Sequence, residues 1–294
     1  MRILLTGADG QLGRHLRHRL EVRHELVAAN RQRADLTDPA AVSQLLADTQ
    51  PDWIINAAAM TAVDNAETET ELADQLNHRL PQQLAKWARA HRARLLHYST
   101  DYVFSGDGDS AWQEGDPTAP KSVYGISKQR GEQAVADSGA SAYVLRTAWV
   151  YSALPGNFLS AILAKAAQGE SLRVVDDQIG SPTWAGSLAQ ASEVLLGHPP
   201  DMDAGSQILH VVDRGAMSWC AFAKEAIGHA VRLGVLDRGV AVEPVGSDQW
   251  PQAAPRPRWS VLDPTKYETL TNQSMPSVFE ALDACLASWS QWRC

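Results

Sequence analysis

The sequence predicts an α/β fold in which a doubly wound parallel sheet is covered by helices and followed by a smaller mixed α/β carboxyl-terminal lobe. In the first half of the 294-residue chain, short apolar runs alternate with amphipathic stretches, which is the pattern of βαβ units. A glycine-rich turn follows the first apolar run. Beyond about residue 148 the alternation becomes irregular and proline-rich loops appear, notably 250–257, which indicates the smaller lobe.

The elements follow from this alternation. Strands are predicted at residues 2–6, 25–29, 53–56, 94–98 and 142–147. Helical periodicity covers 11–20, 39–47, 71–90 and 122–136, and in the second half 157–168, 186–196 and 218–233. Asp38 followed by Pro39 fits a helix start, with the aspartate as the cap and the proline in the first turn.

Composition limits the class of protein. The formal net charge of −8 argues against a nucleic-acid partner bound through a basic surface. No apolar run is long enough to span a bilayer, and Met1-Arg2 precedes only three apolar residues, so we expect no membrane partner and a cytoplasmic location. Cys220, Cys285 and Cys294 have no paired spacing, which favours reduced thiols over disulfides or a zinc site.

The first strand runs into glycines spaced G-x-x-G-x-x-G, at Gly7, Gly10 and Gly13, and then into a helix. Glycines at this spacing allow a tight turn and a close approach of the backbone to a pyrophosphate, which also meets free N–H groups at the helix start. The alternative is an ordinary glycine-rich loop. We predict a Rossmann-type dinucleotide-binding domain at 1–150 and a substrate-binding lobe at 151–294, with some elements of the lobe returning to the first domain.

The end of the second strand indicates the choice of cofactor. A site specific for NAD usually has an acid there, whereas a site for NADP has an arginine. Here Asn30 is followed by Arg31 and Arg33, and the first acid is Asp35. The arginines favour NADPH, with NADH still open, unless both are solvated surface charges.

Three residues carry the predicted chemistry. Tyr124 and Lys128 are four apart on a helix and therefore share a face. The lysine charge, together with that of the nicotinamide, is expected to lower the tyrosine pKa toward neutrality, so that the phenol can protonate a carbonyl oxygen. Thr100, at the carboxyl end of the fourth strand, can orient that oxygen. The alternative is a surface tyrosine near a lysine.

Together these residues resemble the extended short-chain dehydrogenase/reductase family. The resemblance covers nearly the whole chain, and the motifs of the second half are similar to those of reductases that act on a dTDP-linked 4-keto sugar. The motifs that carry it are Asn56-Ala57-Ala58-Ala59, Thr61-Ala62-Val63-Asp64, Ser99-Thr100-Asp101-Tyr102, Arg146-Thr147-Ala148-Trp149, Asn157-Phe158, Asp177-Gln178-Ile179-Gly180-Ser181-Pro182-Thr183, and Arg256-Pro257 with Ser260 and Leu262.

The resemblance implies roles for single positions. Tyr124 would donate the proton, Lys128 would hold the nicotinamide ribose, and Thr100 would bond the reacting oxygen. Val63, Asp101 and Trp149 would contact the substrate. Arg256 is expected at its diphosphate because a guanidinium offers a two-pronged contact, the alternative being a loop charge. The expected cofactor-binding residues are Gly7, Gly10, Gln11, Leu12, Gly13, Asn30, Arg31, Asp35, Leu36, Ala58, Ala59, Met60, Thr61, Tyr124 and Lys128.

Two departures from the family pattern affect the expected cofactor contacts and the expected dimer. Met60 stands where tyrosine or histidine is expected, which would alter contacts near the nicotinamide. Some relatives resemble metal-bridged dimers built on acids, but His15, Gly186 and Ser187 occupy those stretches here. A homodimer therefore stays open, without a metal bridge. His15, His18, His91 and His97 lack supporting carboxylates and are expected to be solvated helix or strand positions, not metal ligands.

Two rival functions remain. A sugar-nucleotide epimerase or dehydratase shares the fold and the Tyr–Lys pair, but a dehydratase needs a further acid, and Tyr102 stands where a glutamate would follow Asp101. A regulatory subunit that kept the fold and lost the reaction is the other rival. Net consumption of NADPH would separate these readings from a reductase.

Overall fold

The computed structural model describes residues 1–290, so the expectation for Cys294 lies outside the described residues. The strands are β1 (Arg2–Thr6), β2 (Glu25–Ala29), β3 (Trp53–Asn56), β4 (Arg94–Thr100), β5 (Ala142–Thr147), β6 (Val150–Tyr151), β7 (Leu172–Val175), β8 (Ile179–Gly180), β9 (Thr183–Trp184), β10 (Ser206–His210), β11 (Met217–Ser218) and β12 (Val242–Val245). The helices are α1 (Gln11–Leu20), α2 (Pro39–Thr49), α3 (Val63–Ala66), α4 (Thr70–Asp74), α5 (Leu80–His91), α6 (Val123–Asp137), α7 (Phe158–Ala167), α8 (Ala185–Leu196), α9 (Trp219–Arg232), α10 (Thr265–Thr271) and α11 (Val278–Ala287).

The predicted elements are present. β1, β2, β3 and β5 have the predicted bounds, and β4 continues two residues further, to Thr100. The Asp38 carboxylate accepts a hydrogen bond from the Ala40 N–H (2.9 Å) and caps α2, whose first residue is Pro39, as predicted.

The predicted helix at 71–90 is interrupted by a π-helical turn, Gln75–Arg79. Pro81 explains the interruption, because it has no N–H to donate to the carbonyl of Asn77 and cannot continue the helix unchanged. A Cβ on Gly131 of α6 would lie 2.1 Å from that carbonyl oxygen, so the turn lies directly against α6.

Six strands form a parallel sheet in the order β10-β5-β4-β3-β1-β2, which confirms the predicted fold class. The chain moves outward from β1 to β2 and then returns to the other side of β1 with β3. Ligands of open α/β sheets bind at such a reversal, beside the carboxyl ends of the strands. Here those ends are paired at Thr6 and Asn56.

Apolar residues cover both faces of the sheet. Ile3, Leu5 and Leu96 point to a core that also holds Leu188 and Leu195 of α8, and Leu4 and Ile54 point to the opposite one. The second half of the chain has its own core between α7, α9 and α11. It also supplies β10 to the main sheet, beside β5. The domain boundary near residue 150 stays a prediction. None of the helices within residues 1–290 is long and apolar enough to cross a membrane.

Candidate active site

The glycine turn after β1 is fixed by close backbone contacts. Gly7 has a φ of +70°, and a Cβ there would lie 2.6 Å from the backbone of Ala57 and Ala58. A Cβ on Gly13 would lie 2.1 Å from the Gly7 carbonyl oxygen. Both positions therefore require glycine, one for its backbone conformation and both for space.

Helix α1 begins at this turn without a side-chain cap. Gly10 is its N-cap residue, and no acid lies in the first turn. The first N–H groups of a helix need partners from outside the helix, and they carry its positive dipole end. Since Gly10 to Gly13 line a cavity, these groups are placed to meet an anion there.

That cavity has a volume of about 610 Å³ and extends from the glycine turn past the carboxyl ends of the sheet to the second half of the chain. Of the expected site residues it is lined by Gly10, Gln11, Leu12, Gly13, Ala58, Ala59, Thr61, Val63, Thr100, Asp101, Tyr124, Lys128 and Trp149. Gly7, Asn30, Arg31, Asp35, Leu36, Met60 and Arg256 do not line it.

Residues after β2 build a hydrogen-bonded turn that does not line the cavity. The Asn30 side chain accepts hydrogen bonds from the N–H groups of Gln32 and Arg33 (both 3.2 Å). Asp35 accepts from the N–H (2.9 Å) and the hydroxyl (2.7 Å) of Thr37. Arg31 is exposed. The two hydrogen bonds from Thr37 lower the pKa of Asp35 most, and the charge of Arg31 lowers it by a smaller amount. The polar side chains thus shape the turn and leave Arg31 in solvent.

Met60 is buried beside the cavity, where it packs with Tyr124. Asn77, on the π-helical turn, donates to the Met60 carbonyl (3.1 Å) and accepts from its N–H (2.9 Å). The same amide donates to the Ser127 hydroxyl (3.0 Å) on α6. Asn77 therefore fixes the segment that lines the cavity to the helix that carries Tyr124. Sequence reasoning missed Asn77, although Pro81 inside a predicted helix signalled an irregularity.

Thr100, Tyr124 and Lys128 form what we call the chemistry wall of the cavity. The Thr100 hydroxyl donates to Asp101 (2.9 Å) and lowers the pKa of the neighbouring Tyr124 phenol. The Lys128 ammonium donates to the carbonyl of Tyr98. All three side chains are buried, and all three line the cavity.

The pKa of Tyr124 differs from the expectation. Burial raises it to about 12, the hydrogen bond with Thr100 acts against this, and the charge of Asp101 adds to it. Because the expected shift toward neutrality also counted the nicotinamide charge, the chain by itself does not test it, and here burial disfavours the phenolate. A raised pKa keeps the phenol protonated at neutral pH, which is the state that a proton donor needs.

Gly125 explains the close packing beside Tyr124. A Cβ on this residue would lie 2.3 Å from the Tyr102 carbonyl oxygen. The Tyr102 ring meets the Tyr124 ring edge to face, with centroids 5.5 Å apart. The glycine thus lets α6 approach the segment after β4, and the Tyr102 ring packs against the ring of Tyr124.

Trp149, Phe158 and Trp219 form what we call the aromatic wall. Trp149 has a φ of +46°, a strained conformation for a bulky residue, and its ring stacks on Trp219 with centroids 3.5 Å apart and planes 2° apart. Phe158 tilts against Trp219 at 4.5 Å. A Cβ on Gly180 would lie 2.5 Å from the Trp149 ring, so glycine is required there. Sequence reasoning missed Trp219, since nothing local distinguishes a tryptophan at a helix start from a core residue.

The structure does not support the placement of Arg256 at a diphosphate. Its guanidinium donates to the Asp64 carboxylate (2.7 Å) and to the Ala254 carbonyl (3.3 Å). Asp64 also accepts from the Ala254 N–H (2.9 Å). Arg256 therefore ties the 250–257 loop to α3 instead of pointing into the cavity.

The histidine expectations are partly wrong. His18 and His91 are exposed, but His15 and His97 are buried, because their helix and strand turn those positions inward. His97 accepts from the Asn56 amide (3.0 Å), which in turn accepts from the Thr6 hydroxyl (2.7 Å). This chain of polar groups crosses the three central strands beneath the cavity.

Among residues 1–290, no cluster of three or more histidine, cysteine, aspartate or glutamate side chains is arranged to hold a metal ion. In the stretches where some relatives are expected to have metal-bridging acids, an aromatic ring fills the space instead. The Trp184 ring meets His15 edge-on, with centroids 5.8 Å apart. A Cβ on Gly186 would lie 2.4 Å from the same ring. Cys220 and Cys285 are free and buried.

Comparison with known proteins agrees with this geometry. The family model described as the RmlD substrate binding domain matches residues 1–291. A probable dTDP-4,6-dihydroxy-2-methyloxan-3-one 4-ketoreductase of Streptomyces antibioticus is 42% identical over 264 residues, which cover 89% of this chain and 86% of the relative. A dTDP-4-dehydrorhamnose reductase of Streptomyces griseus is 40% identical over 272 residues, covering 91% and 87%.

A solved structure extends the likeness to the whole fold. The crystal structure of dTDP-4-dehydrorhamnose reductase from Bacillus anthracis, in complex with NADP, has a TM-score of 0.90 at 32% identity and covers 98% of this chain and 99% of that one. The chain therefore belongs to the RmlD substrate binding domain family, in which it is similar to the dTDP-4-dehydrorhamnose reductases.

Proposed function

We propose that this protein is an NADPH-dependent reductase that converts the 4-keto group of dTDP-4-dehydro-L-rhamnose to the hydroxyl of dTDP-L-rhamnose. One observation carries the proposal: the same cavity is lined by the uncapped glycine turn, the chemistry wall and the aromatic wall. Relatives named as dTDP-4-dehydrorhamnose reductases support the substrate, and the NADP complex of the Bacillus anthracis enzyme supports the cofactor.

The residues of the glycine turn fit a dinucleotide. Side chains at Gly7 and Gly13 are excluded by backbone, and the first N–H groups of α1 are uncapped toward the cavity. Gly10 to Gly13 would hold the pyrophosphate, Ala58, Ala59 and Thr61 would line the rest of the groove, and Lys128 would hold the nicotinamide ribose. Arg31, exposed after β2, would pair with the 2′-phosphate. When bound, the reduced nicotinamide supplies hydride to the carbonyl carbon.

Tyr124 would act as the proton donor to the carbonyl oxygen. Its phenol is protonated at neutral pH, as an ordinary tyrosine is, and burial raises its pKa further, to about 12. As negative charge develops on the substrate oxygen, a neutral donor at hydrogen-bond distance can transfer its proton. The Thr100 hydroxyl would orient this phenol, and the buried Lys128 ammonium would favour the phenolate that is left.

The substrate would lie between the two walls. Val63 and Asp101 line the cavity beside Thr100, at the sugar end. The stacked pair of Trp149 and Trp219 offers a flat surface of the kind on which a nucleobase stacks. We propose that the aromatic wall takes the base and thereby holds the keto group against Tyr124.

The cytoplasmic location is likewise proposed, and the two free, buried thiols of Cys220 and Cys285 support it. The homodimer stays a prediction.

A second candidate substrate has a specific observation in its favour. The Streptomyces antibioticus relative, 42% identical, is named as a 4-ketoreductase of a different dTDP-linked sugar. The chemistry wall would serve either substrate in the same way, because both reactions reduce a keto group at the 4-position. The difference between the two would lie in contacts along the sugar ring.

The test is NADPH oxidation by the purified protein on addition of freshly generated dTDP-4-dehydro-L-rhamnose, with the product identified by NMR. One NADPH consumed per dTDP-L-rhamnose formed supports the proposal. Faster turnover of the alternative 4-keto sugar would support the second candidate. Product formed without net NADPH consumption would indicate an epimerase or dehydratase, and NADPH binding without turnover of either sugar would indicate a regulatory subunit.

A further inference from the structure

Glu132 lies one helical turn beyond Lys128, which itself lies one turn beyond Tyr124. The spacing of four places all three on one face of α6, and all three side chains are buried there. Glu132 does not line the cavity. The helix face that carries Tyr124 and Lys128 thus also carries a buried acid one turn further along, outside the cavity lining.

Glu132 is held in a buried ion pair with Arg146 of β5. The guanidinium binds both carboxylate oxygens, with Nε–Oε1 at 2.9 Å and Nη2–Oε2 at 2.7 Å. Side-chain exposure is 3% for Arg146 and 6% for Glu132. A third N–H of Arg146 reaches the Glu114 carbonyl (3.4 Å), and the guanidinium lies 4.9 Å over the Phe104 ring. The carboxylate is therefore fixed and ionised, with little freedom to rotate.

We propose that Glu132 is a positioning residue for the reaction, and that its fixed negative charge keeps the buried Lys128 ammonium protonated at working pH. This inference rests on the proposed reductase function and deepens it. A charged lysine buried beside the cavity needs a compensating charge.

The surroundings of Lys128 single out Glu132. On α6 the titratable neighbours are Tyr124 and Glu132, β4 brings His97 and the segment after it brings Asp101, and β5 brings Arg146. Burial lowers the pKa of Lys128 to about 8, and the charge of Glu132 acts in the opposite direction. His97 is neutral because burial lowers its pKa well below the ordinary value, with the Lys128 charge adding to this.

The expected sign follows directly. Lys128 must be protonated to act, so the rate falls as the pH rises through its pKa. Without the charge of Glu132 that pKa is lower, and the basic limb of the pH profile moves to lower pH. A purely structural ion pair would change the stability and leave the limb in place.

The experiment compares Glu132→Gln with wild type and with Asp137→Asn, an exposed acid of the same helix. For each protein, kcat/KM and the NADPH dissociation constant are measured across pH. We expect the basic limb of Glu132→Gln to move down by about one pH unit, in activity and in NADPH binding, and that of Asp137→Asn to stay. Unchanged limbs in a folded Glu132→Gln would overturn the proposal.

A second variant covers the case in which Glu132→Gln does not fold. Glu132→Leu with Arg146→Met replaces the pair by apolar groups, a change that buried ion pairs often tolerate. A smaller downward shift is expected, because the positive charge of Arg146, which opposes that of Glu132, is removed as well. A wild-type limb in this variant would refute the role of Glu132. If wild type itself reduces no 4-keto sugar, the proposed function fails, and the pH dependence of NADPH binding still tests Glu132.

Discussion

The two walls of the cavity are built in different ways. The chemistry wall comes from the end of β4 and one face of α6, and its side chains are buried and hydrogen-bonded. The aromatic wall comes from two segments distant in the chain, residues 149–158 and Trp219, and its rings are half-buried and held by stacking. Rigid hydrogen bonding suits proton transfer, whereas a flat apolar surface suits recognition of a base. We infer that the two walls divide chemistry from recognition.

The largest effect is expected on the chemistry wall. Tyr124→Phe removes the proposed proton donor and should lower kcat by roughly 10²–10⁴-fold. NADPH binding should persist, because the glycine turn is untouched. Steady-state kinetics and NADPH fluorescence titration check this, with Tyr267→Phe, a buried tyrosine of α10, as the control. Near-normal turnover of Tyr124→Phe would remove the proposed role.

A smaller effect, on a different constant, is expected on the aromatic wall. Trp219→Ala removes one stacking ring and should raise KM for the dTDP-sugar about tenfold, with kcat little changed. Trp219→Phe should recover much of the loss, and Trp87→Ala, whose ring stacks on His91 on α5, should behave as wild type. A fall in kcat at unchanged KM would contradict the division between the walls.

Near the cofactor end of the cavity, a substitution should lower the affinity for NADPH and leave that for NADH unchanged. Arg31→Ala removes an exposed guanidinium and should weaken NADPH binding several-fold, while NADH binding stays the same, because only NADPH carries the 2′-phosphate. The ratio of the two dissociation constants is the measurement, with the exposed Arg173→Ala as the control. Equal losses for both cofactors would mean that Arg31 does not read the phosphate.

The smallest effect is expected at Arg256. Its partner Asp64 is 42% exposed, so Arg256→Ala should cost about 1 kcal/mol or less in the free energy of unfolding. Since the guanidinium is turned to Asp64, KM for the dTDP-sugar should not change. Thermal unfolding and steady-state kinetics measure the two quantities. A tenfold rise in KM would restore the diphosphate role that the sequence suggested.

The sequence predicts well what depends on near neighbours. The strands, the glycine turn and the shared face of Tyr124 and Lys128 follow from patterns within a few residues. The stacking of Trp149 on Trp219 and the pairing of Arg256 with Asp64 join distant segments, so no local pattern indicates them. The raised pKa of Tyr124 was missed for a related reason, because burial depends on the whole fold.

The division between the walls is tested most directly by the dissociation constant of dTDP, measured by calorimetry for wild type, Tyr124→Phe and Trp219→Ala. We expect Tyr124→Phe to bind dTDP as wild type does, and Trp219→Ala to bind it about tenfold more weakly. Wild-type affinity in Trp219→Ala, together with weakened binding in Tyr124→Phe, would contradict the assignment of recognition to the aromatic wall.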